Sequence, residues 1–239
     1  MTRDVKFELD RADELRRMLD LREERRRTDD KQNAGVLILL HDDGTDDIKV
    51  LLCVRSRNLR RHPGEVCFPG GMMDDEDRDD VRQTAIREAY EEVGIKENDD
   101  YVVLGNFPAF QARFGIVIHP TVALARRLPK FTISIDEVES VFWVSLSRFL
   151  ENKHHSHYPI GHSYTVHMFQ FGDYPTTYGI TALFCIFVAI GVLTKIPQFN
   201  LLPNFTINDI MDRRLNSIEI IRNVYELAGD VPVPLKSKM

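Results

Sequence analysis

Apolar positions recur along this chain with two different periods. Residues 34–40 are a short, unbroken apolar run rich in branched side chains, and residues 48–54 repeat it after the turn Asp42-Asp43-Gly44-Thr45-Asp46-Asp47. The two runs predict paired strands. Further strands are expected at 101–104, 116–125 and 138–144, the last leading into a short helix over 146–150. Residues 164–171, followed by Gly172-Asp173, read as one arm of a hairpin. Elsewhere the period is helical. Leu15, Met18 and Leu19 form a thin apolar stripe in a charged helix over 10–27, followed by a polar linker. Ala85, Ala89 and Val93 line one side of a helix over 81–93, with Ile86 at the edge of that stripe. Residues 207–227 read as one amphipathic helix ending at Gly229. The most apolar run, 181–193, is bounded by Lys195 and Pro197. It is shorter than the roughly 20 residues a bilayer needs, so a helix buried against the sheet is expected and no membrane span. The mixture predicts an α+β or a three-layer α/β/α protein. Residues 1–33 form an N-terminal charged segment and linker, 34–229 the main domain, and 230–239 a tail.

Composition narrows the function classes. The chain has 239 residues, 43% of them hydrophobic and 28% charged, with a net charge of −6. That charge argues against general affinity for nucleic acid. An acidic protein that handles an anionic substrate needs local cations, from a metal or clustered arginines. Cys53, Cys67 and Cys185 form no CxxC pair and sit in apolar surroundings, as expected of free thiols in a reducing compartment. The first ten residues carry no apolar signal core, and 10–27 has too many acids for a mitochondrial presequence. His154, His155, His157 and His162 lack cysteine partners and an i, i+4 helical pair, so a polar loop is expected there instead of a zinc site.

The richest stretch runs from Gly70 to Ile95. An acidic loop led by Gly70-Gly71 feeds the helix, for which Asp80 is the expected N-cap and Gly94 the left-handed C-cap. Glu88, Glu91 and Glu92 stand at i, i+3 and i+4 on one face and repel one another. Water could solvate them, or a hard divalent cation such as Mg²⁺ could neutralise them. Arg87-Glu88-Ala89-Tyr90-Glu91-Glu92-Val93-Gly94-Ile95 resembles the second half of the Nudix box at every position. The first half departs. Regular spacing would put the leading glycine at Met73 and the isolated glutamate at Asp79, so the loop after Gly70-Gly71 is two residues longer.

Upstream, Arg55, Arg57, Arg60, Arg61 and His62 make a basic cluster in an acidic chain. Arginine forks suit phosphate oxygens. The string Leu51-Leu52, Arg55-Ser56, Arg60, His62, Gly64, Val66 and Phe68-Pro69-Gly70-Gly71 resembles the signature of the coenzyme A diphosphatase group of Nudix hydrolases, with Cys53 where that group usually has Thr. Looser similarity extends through Tyr178-Gly179-Ile180-Thr181-Ala182. The resemblance implies a Nudix fold and cleavage of the diphosphate of CoA or acyl-CoA, giving 3′,5′-ADP and 4′-phosphopantetheine or its acylated form. It implies that Glu88, Glu91 and Glu92 hold Mg²⁺ or Mn²⁺ and that Arg87 keeps them in register. Substrate contacts are expected from Arg55, Arg60, His62, Gly70 and Gly71, with the general base left open. Two other readings stand beside it: a Nudix hydrolase of ADP-ribose or a dinucleotide, and a non-catalytic CoA or nucleotide sensor. Finally, Ser237-Lys238-Met239 resembles the peroxisomal address Ser-Lys-Leu. A peroxisomal import receptor is therefore an expected partner, with the peroxisome the expected location and the cytoplasm the alternative.

Overall fold

The computed structural model describes residues 3–23, 26–28, 31–45, 47–112, 115–161, 164–172 and 174–229. The run at 34–40 lies in the centre of its main sheet. Strand β1 (Gln32–His41) meets β2 (Lys49–Arg55) antiparallel at its C-terminal end, pairs antiparallel with β4 (Gly70–Met72) near its start, and runs parallel to β7 (Ile116–Ala125) along most of its length. β2 in turn pairs with β3 (Val66–Cys67) and with β8 (Val138–Ser145), while β5 (Tyr101–Asn106) and β6 (Phe110–Gln111) line β7. The sheet is thus mixed.

Both of its faces are covered, which explains why the central strands lack polar alternation. Leu37, Leu39, Leu51 and Cys53 point to one core together with Ala85, Ala89 and Val93 of α2 (Val81–Val93). Ile38, Leu40, Val50 and Leu52 point to the other, against α3 (Gly179–Leu193) and buried residues of α1 (Arg3–Met18), α4 (Ile207–Arg213) and α5 (Ser217–Gly229). α2 lies directly on β1 at Gly35, where a Cβ would sit 2.6 Å from the Val81 carbonyl oxygen. α3 is buried on nearly every side, as its all-round apolar sequence requires. Among the described residues, no helix is long and apolar enough to cross a membrane. The expected α/β/α arrangement is what the chain adopts.

Three expectations need correction. The charged helix ends at Met18, not at 27: Asp20 turns left-handed (φ 51°), and Arg22 and Asn106 then exchange backbone hydrogen bonds of 2.9 and 2.8 Å, so the chain leaves the helix to join the sheet edge. The amphipathic run 207–227 is two helices, broken at left-handed Arg214 (φ 53°) and restarted where Asn216 and Glu219 cap each other's backbone N–H. The arm at 164–171 is β10 (Tyr164–Phe169), which pairs antiparallel with residues 177–178 across the stretch that holds Gly172, as expected, and on its other side also pairs with β9 (His155–Ile160). Gly161, just after β9, is left-handed (φ 64°); residues 162–163 and Asp173 lie outside the described residues. With β11 (Thr177–Tyr178), these strands form a second sheet ordered β11-β10-β9.

The histidines belong to that sheet and not to a loop, except that His154 closes a short 3-10 turn before β9 and His162 lies outside the described residues. His167 Nε2 hydrogen-bonds the Leu201 carbonyl at 2.8 Å, which fixes that nitrogen as the donor and leaves Nδ1 to accept from His155 Nε2 at 2.9 Å. His155 stacks on Phe199 with ring centroids 3.6 Å apart. Burial, with the neighbouring histidines, pushes His155 down to about 3, and burial pushes His167 down to about 4. His155 and His167 are neutral packing groups, held by their own hydrogen bonds.

Candidate active site

The box helix α2 starts and stops where its caps dictate. The Asp80 carboxylate accepts from the Arg82 N–H at 2.9 Å, and Gly94 (φ 76°) closes the last turn by donating its N–H to the Tyr90 carbonyl. With those ends fixed, one face carries Ala85, Ala89 and Val93 into the core, and the adjoining face turns Glu88 and Glu92 toward β4. The glycine pair makes this approach possible. The Gly70 N–H donates to Glu92 Oε2 at 2.9 Å, and a Cβ on Gly71 would sit 2.4 Å from the Glu88 carboxylate. Any side chain at Gly71 would occupy the space the carboxylate uses.

Glu137, in the turn before β8, completes the cluster: Glu88, Glu92 and Glu137 each bring a carboxylate oxygen within 4.8 Å of the others. Glu92 is only 3% exposed. Burial pushes its carboxyl up to about 7, the charges of Glu88 and Glu137 add to the shift, and the Gly70 N–H and Arg55 oppose it. Burial raises Glu88 as well, against the pull of Arg87. Three converging, half-desolvated carboxylates with oxygen donors alone are a poor resting arrangement for a protein and a good one for a hard divalent cation. Glu91 stands outside this trio. It is more exposed and pairs with Arg87 Nη1 at 3.1 Å.

Arg87 ties the helix to the loop. Its Nε and Nη2 reach the two oxygens of Asp77 at 2.9 and 3.0 Å, Nη1 reaches Glu88 at 2.8 Å, and Nη2 also reaches the Met72 carbonyl at 3.2 Å. Asp77 is 2% exposed and accepts further bonds from Thr84 Oγ1 at 2.8 Å and the Asp74 N–H at 2.9 Å. Burial alone would raise its pKa, but these hydrogen bonds, Arg87's first, hold it below the ordinary carboxylate range.

The upstream basic residues divide. Arg55 lies at the carboxylate cluster, its Nη1 4.0 Å from Glu92 Oε1. Its buried Nε has no hydrogen-bond partner among the described residues. Arg60 and His62 sit on the exposed loop after β2, away from the trio. His62 (φ 55°) places Nδ1 3.0 Å from Glu65 Oε2, and Arg57 pairs with Glu139 at 3.2 Å.

Residues 31–164 match the NUDIX domain. The chain belongs to the Nudix family. It is 67% identical over 225 residues to the peroxisomal coenzyme A diphosphatase ndx-8 of Caenorhabditis elegans, a match covering 94% of this chain and 96% of that one. It is 34% identical over 170 residues to the peroxisomal coenzyme A diphosphatase NUDT7 of Mus musculus, covering 68% and 70% of the two chains. Among solved structures, a NUDIX hydrolase from Alicyclobacillus acidocaldarius overlays with a TM-score of 0.45 at 17% identity, covering 70% of this chain and 97% of that one.

Within this Nudix chain the geometry relocates the irregular half of the box. Asp79, where regular spacing puts the isolated acid, is exposed and pairs with Arg27 at 3.1 Å. Asp77 is the acid that grips Arg87, and it follows Gly71 at the family's own interval of five intervening residues. The two extra residues therefore come after it, as Arg78 and Asp79, both left-handed (φ 51° and 61°). Asp77 and Glu137 are absent from the residues expected above. Spacing from Gly71 could have found Asp77. Nothing local separates Glu137 from the chain's other acids, because only the fold brings it to α2.

Proposed function

We propose that this protein is a metal-dependent diphosphatase that cleaves coenzyme A and CoA thioesters into 3′,5′-ADP and 4′-phosphopantetheine or its acylated form. One observation carries the reading: the CoA-type loop and the Nudix helix meet at a single point, where Arg55 stands 4.0 Å from Glu92 beside the converging carboxylates. A hydrolase of this kind needs a cation site and a phosphate-reading cation side by side. The names of the nematode and mouse relatives support the substrate and place the activity in the peroxisome.

The donor set suits a divalent cation, and Mg²⁺ or Mn²⁺ is our reading of its identity. Glu88, Glu92 and Glu137 would hold it, with Glu91 joining once the substrate draws Arg87 or a second ion. Such an ion supplies charge neutralisation for the diphosphate and an acidified water. The chain's own groups do the rest. Arg87, gripped by Asp77, keeps Glu88 and Glu91 in register. Arg55, whose side chain is 25% exposed, would offer its guanidinium to a phosphate oxygen, and substrate would approach over the backbone at Gly70 and Gly71. Arg60 and His62, exposed on the loop, would read the 3′-phosphate. We assign the hydrolase unit to 34–229 and the import address to Ser237, Lys238 and Met239, which lie outside the described residues.

The test is product analysis after incubating the purified protein with CoA and Mg²⁺, alongside Glu137→Gln. The expected result is 3′,5′-ADP and 4′-phosphopantetheine from wild type, and turnover reduced by about 10²-fold or more in the variant. CoA left intact while ADP-ribose or a dinucleotide is cleaved would overturn the substrate. CoA binding without metal-dependent turnover of any of these would make the protein a sensor.

A further inference from the structure

Among the basic residues after β2, Arg57 pairs with Glu139 and His62 with Glu65. The second contact is built at some cost. Arg55 donates its N–H to the Glu65 carbonyl at 2.9 Å, and its own carbonyl accepts from the Gly64 N–H at 3.1 Å, which closes the loop at its base. Within that loop His62 takes left-handed backbone (φ 55°), a conformation that is unfavourable for a residue with a side chain. It brings His62 Nδ1 to 3.0 Å from Glu65 Oε2. The two side chains are 68% and 35% exposed, and exposed pairs contribute little to stability. Stabilisation therefore does not account for the strained backbone, and strain retained at an exposed loop points to function.

Glu65 is itself held from a second direction. The Tyr178 hydroxyl bonds its carboxylate; burial, together with that bond, pushes the phenol up to about 12, so it keeps its proton and donates. Tyr178 is the residue just before α3, the helix buried on nearly every side, and β11 packs beside β3. The carboxylate is thus tied to a buried element, while His62 rides on the loop. An ionised carboxylate has no proton to give, so His62 Nδ1 is the donor in their contact. In a neutral ring that leaves Nε2 as a bare acceptor, which repels a phosphate oxygen. Only the imidazolium offers an Nε2–H, so a phosphate that binds there binds the charged ring.

We propose that Glu65 is a positioning residue for recognition of the 3′-phosphate: braced by Tyr178, it orients the His62 imidazole and balances its charge when Nε2–H meets a phosphate oxygen. The inference rests on the reading of the substrate as CoA or a CoA thioester and of His62 as a contact for its 3′-phosphate. Glu65 does not touch the phosphate. The ring stands between the two anions, with Nδ1 toward the carboxylate and Nε2 on the opposite side. Arg60 needs no such partner, because a guanidinium is charged in any surroundings. An imidazole needs both its orientation and its proton set by a neighbour. A glutamine at position 65 would supply neither, since its amide both donates and accepts and so allows either ring nitrogen to carry the proton.

Calorimetric titration of the full-length protein in Mg²⁺ tests this with 3′,5′-ADP and 5′-AMP, which differ only in the 3′-phosphate. Wild type should bind 3′,5′-ADP about tenfold more tightly or better, the scale of a hydrogen bond to a charged group. Glu65→Gln and His62→Ala should each cut that preference about fivefold or more, with 5′-AMP affinity within about twofold, and the double variant should lose no more than His62→Ala alone, since one residue acts through the other. Tyr178→Phe removes the brace but keeps the ring, and should cut the preference about two- to threefold. A preference kept in Glu65→Gln but lost in His62→Ala would overturn the proposal. So would additive losses in the double variant, which would put the effect of Glu65 outside His62, or equal weakening of both nucleotides, which would make Glu65 a support for the loop. A preference kept in His62→Ala would remove His62 as the reader, and the proposal with it. CoA turnover is measured on the same proteins: the expected preferences without cleavage would refute the enzymatic reading and leave the pairing of Glu65 with His62 standing.

Discussion

Asp77→Asn and Asp79→Asn, made separately, decide which acid completes the Nudix box. Asn matches Asp in shape but replaces one acceptor oxygen with a donor. At Asp77 both oxygens are committed, one to Arg87 Nε and the other to Arg87 Nη2, Thr84 Oγ1 and the Asp74 N–H. An amide nitrogen in either position faces at least one N–H, and Arg87 keeps its charge with the carbonyl of Met72 and the carboxylates of Glu88, Glu91 and, at 3.6 Å, Glu76 around it. Breaking a buried ion pair costs about 3–5 kcal/mol. The Arg87 side chain retains 18% exposure, three other hydrogen-bond acceptors and the nearby Glu76 carboxylate, so we expect about 2–3 kcal/mol. For a chain of this length that lowers Tm by about 5–10 °C. Released from Asp77, Arg87 no longer fixes Glu88, so kcat should fall by about 10-fold or more. Asp79→Asn touches an ion pair whose side chains are 51% and 67% exposed, and exposed pairs of that kind contribute about 0–1 kcal/mol. Thermal unfolding and CoA turnover, measured on both variants under one buffer, give the comparison. Equal losses from the two variants, or a larger loss from Asp79→Asn, would refute the placement of the two extra residues after Asp77.

Three other perturbations have defined outcomes. Gly71→Ala puts a methyl 2.4 Å from the Glu88 carboxylate, the movable end of a side chain, whereas at Gly70 the same methyl meets the Gly35 carbonyl oxygen at 2.4 Å. Gly71→Ala should therefore leave Tm within a few degrees while removing most turnover, and Gly70→Ala should lower Tm outright. A Gly71→Ala enzyme with normal kcat would show that Glu88 does not act from this position. His167, fully buried with its pKa pushed down to about 4, stays neutral in the folded chain while the unfolded chain takes up a proton below its ordinary pKa of about 6.5. Stability is thus complete above that value and declines as pH falls toward the folded-state pKa, by ~2 kcal/mol at pH 5 for this residue alone. Urea midpoints at pH 7.5 and 5 should show a smaller pH loss in His167→Gln than in wild type, and an identical loss would sink the claim. Deleting Ser237-Lys238-Met239 from a protein tagged at its N-terminus should leave activity intact and move it from peroxisomes to cytosol; an unaltered distribution would remove the address.

What could be read from the sequence is what local rules decide. Helix α2 is set by Asp80 and Gly94, residues whose capping chemistry acts within one turn, and both behave as their identities require. Strands β1, β2, β7 and β8 announce themselves because the sheet is covered on both faces. The misread elements share a different cause. Arg78, Asp79 and Arg214 take left-handed backbone without glycine, so nothing in their identity marks the bulge after Asp77 or the break before α5. β9 hides because its inward-facing His155 stacks on Phe199 and bonds His167, which in turn bonds the Leu201 carbonyl, all partners distant in sequence.

The same reasoning explains why the site was only half legible. Glu88, Glu91 and Glu92 lie on one helix, where spacing alone puts them on one face. Their partners come from elsewhere: Glu137 from the turn before β8, Asp77 from across an irregular loop, Arg55 from the end of β2. A cluster of three carboxylates within 4.8 Å conflicts with what folding favours in a core, and no single element carries the conflict. Each segment alone is an ordinary acidic or basic stretch. It becomes a site only where the glycine pair lets β4 press against α2 and the β2 loop closes over the same point. Departure from local consistency at the place where elements meet is the expected mark of a functional centre. Here the departures, from the strained loop after Asp77 to the unpartnered Arg55 Nε, surround one helix face. The substrate's phosphates and a cation are the groups that would answer them together, the cation for the excess of carboxylates and the phosphates for the arginine beside them.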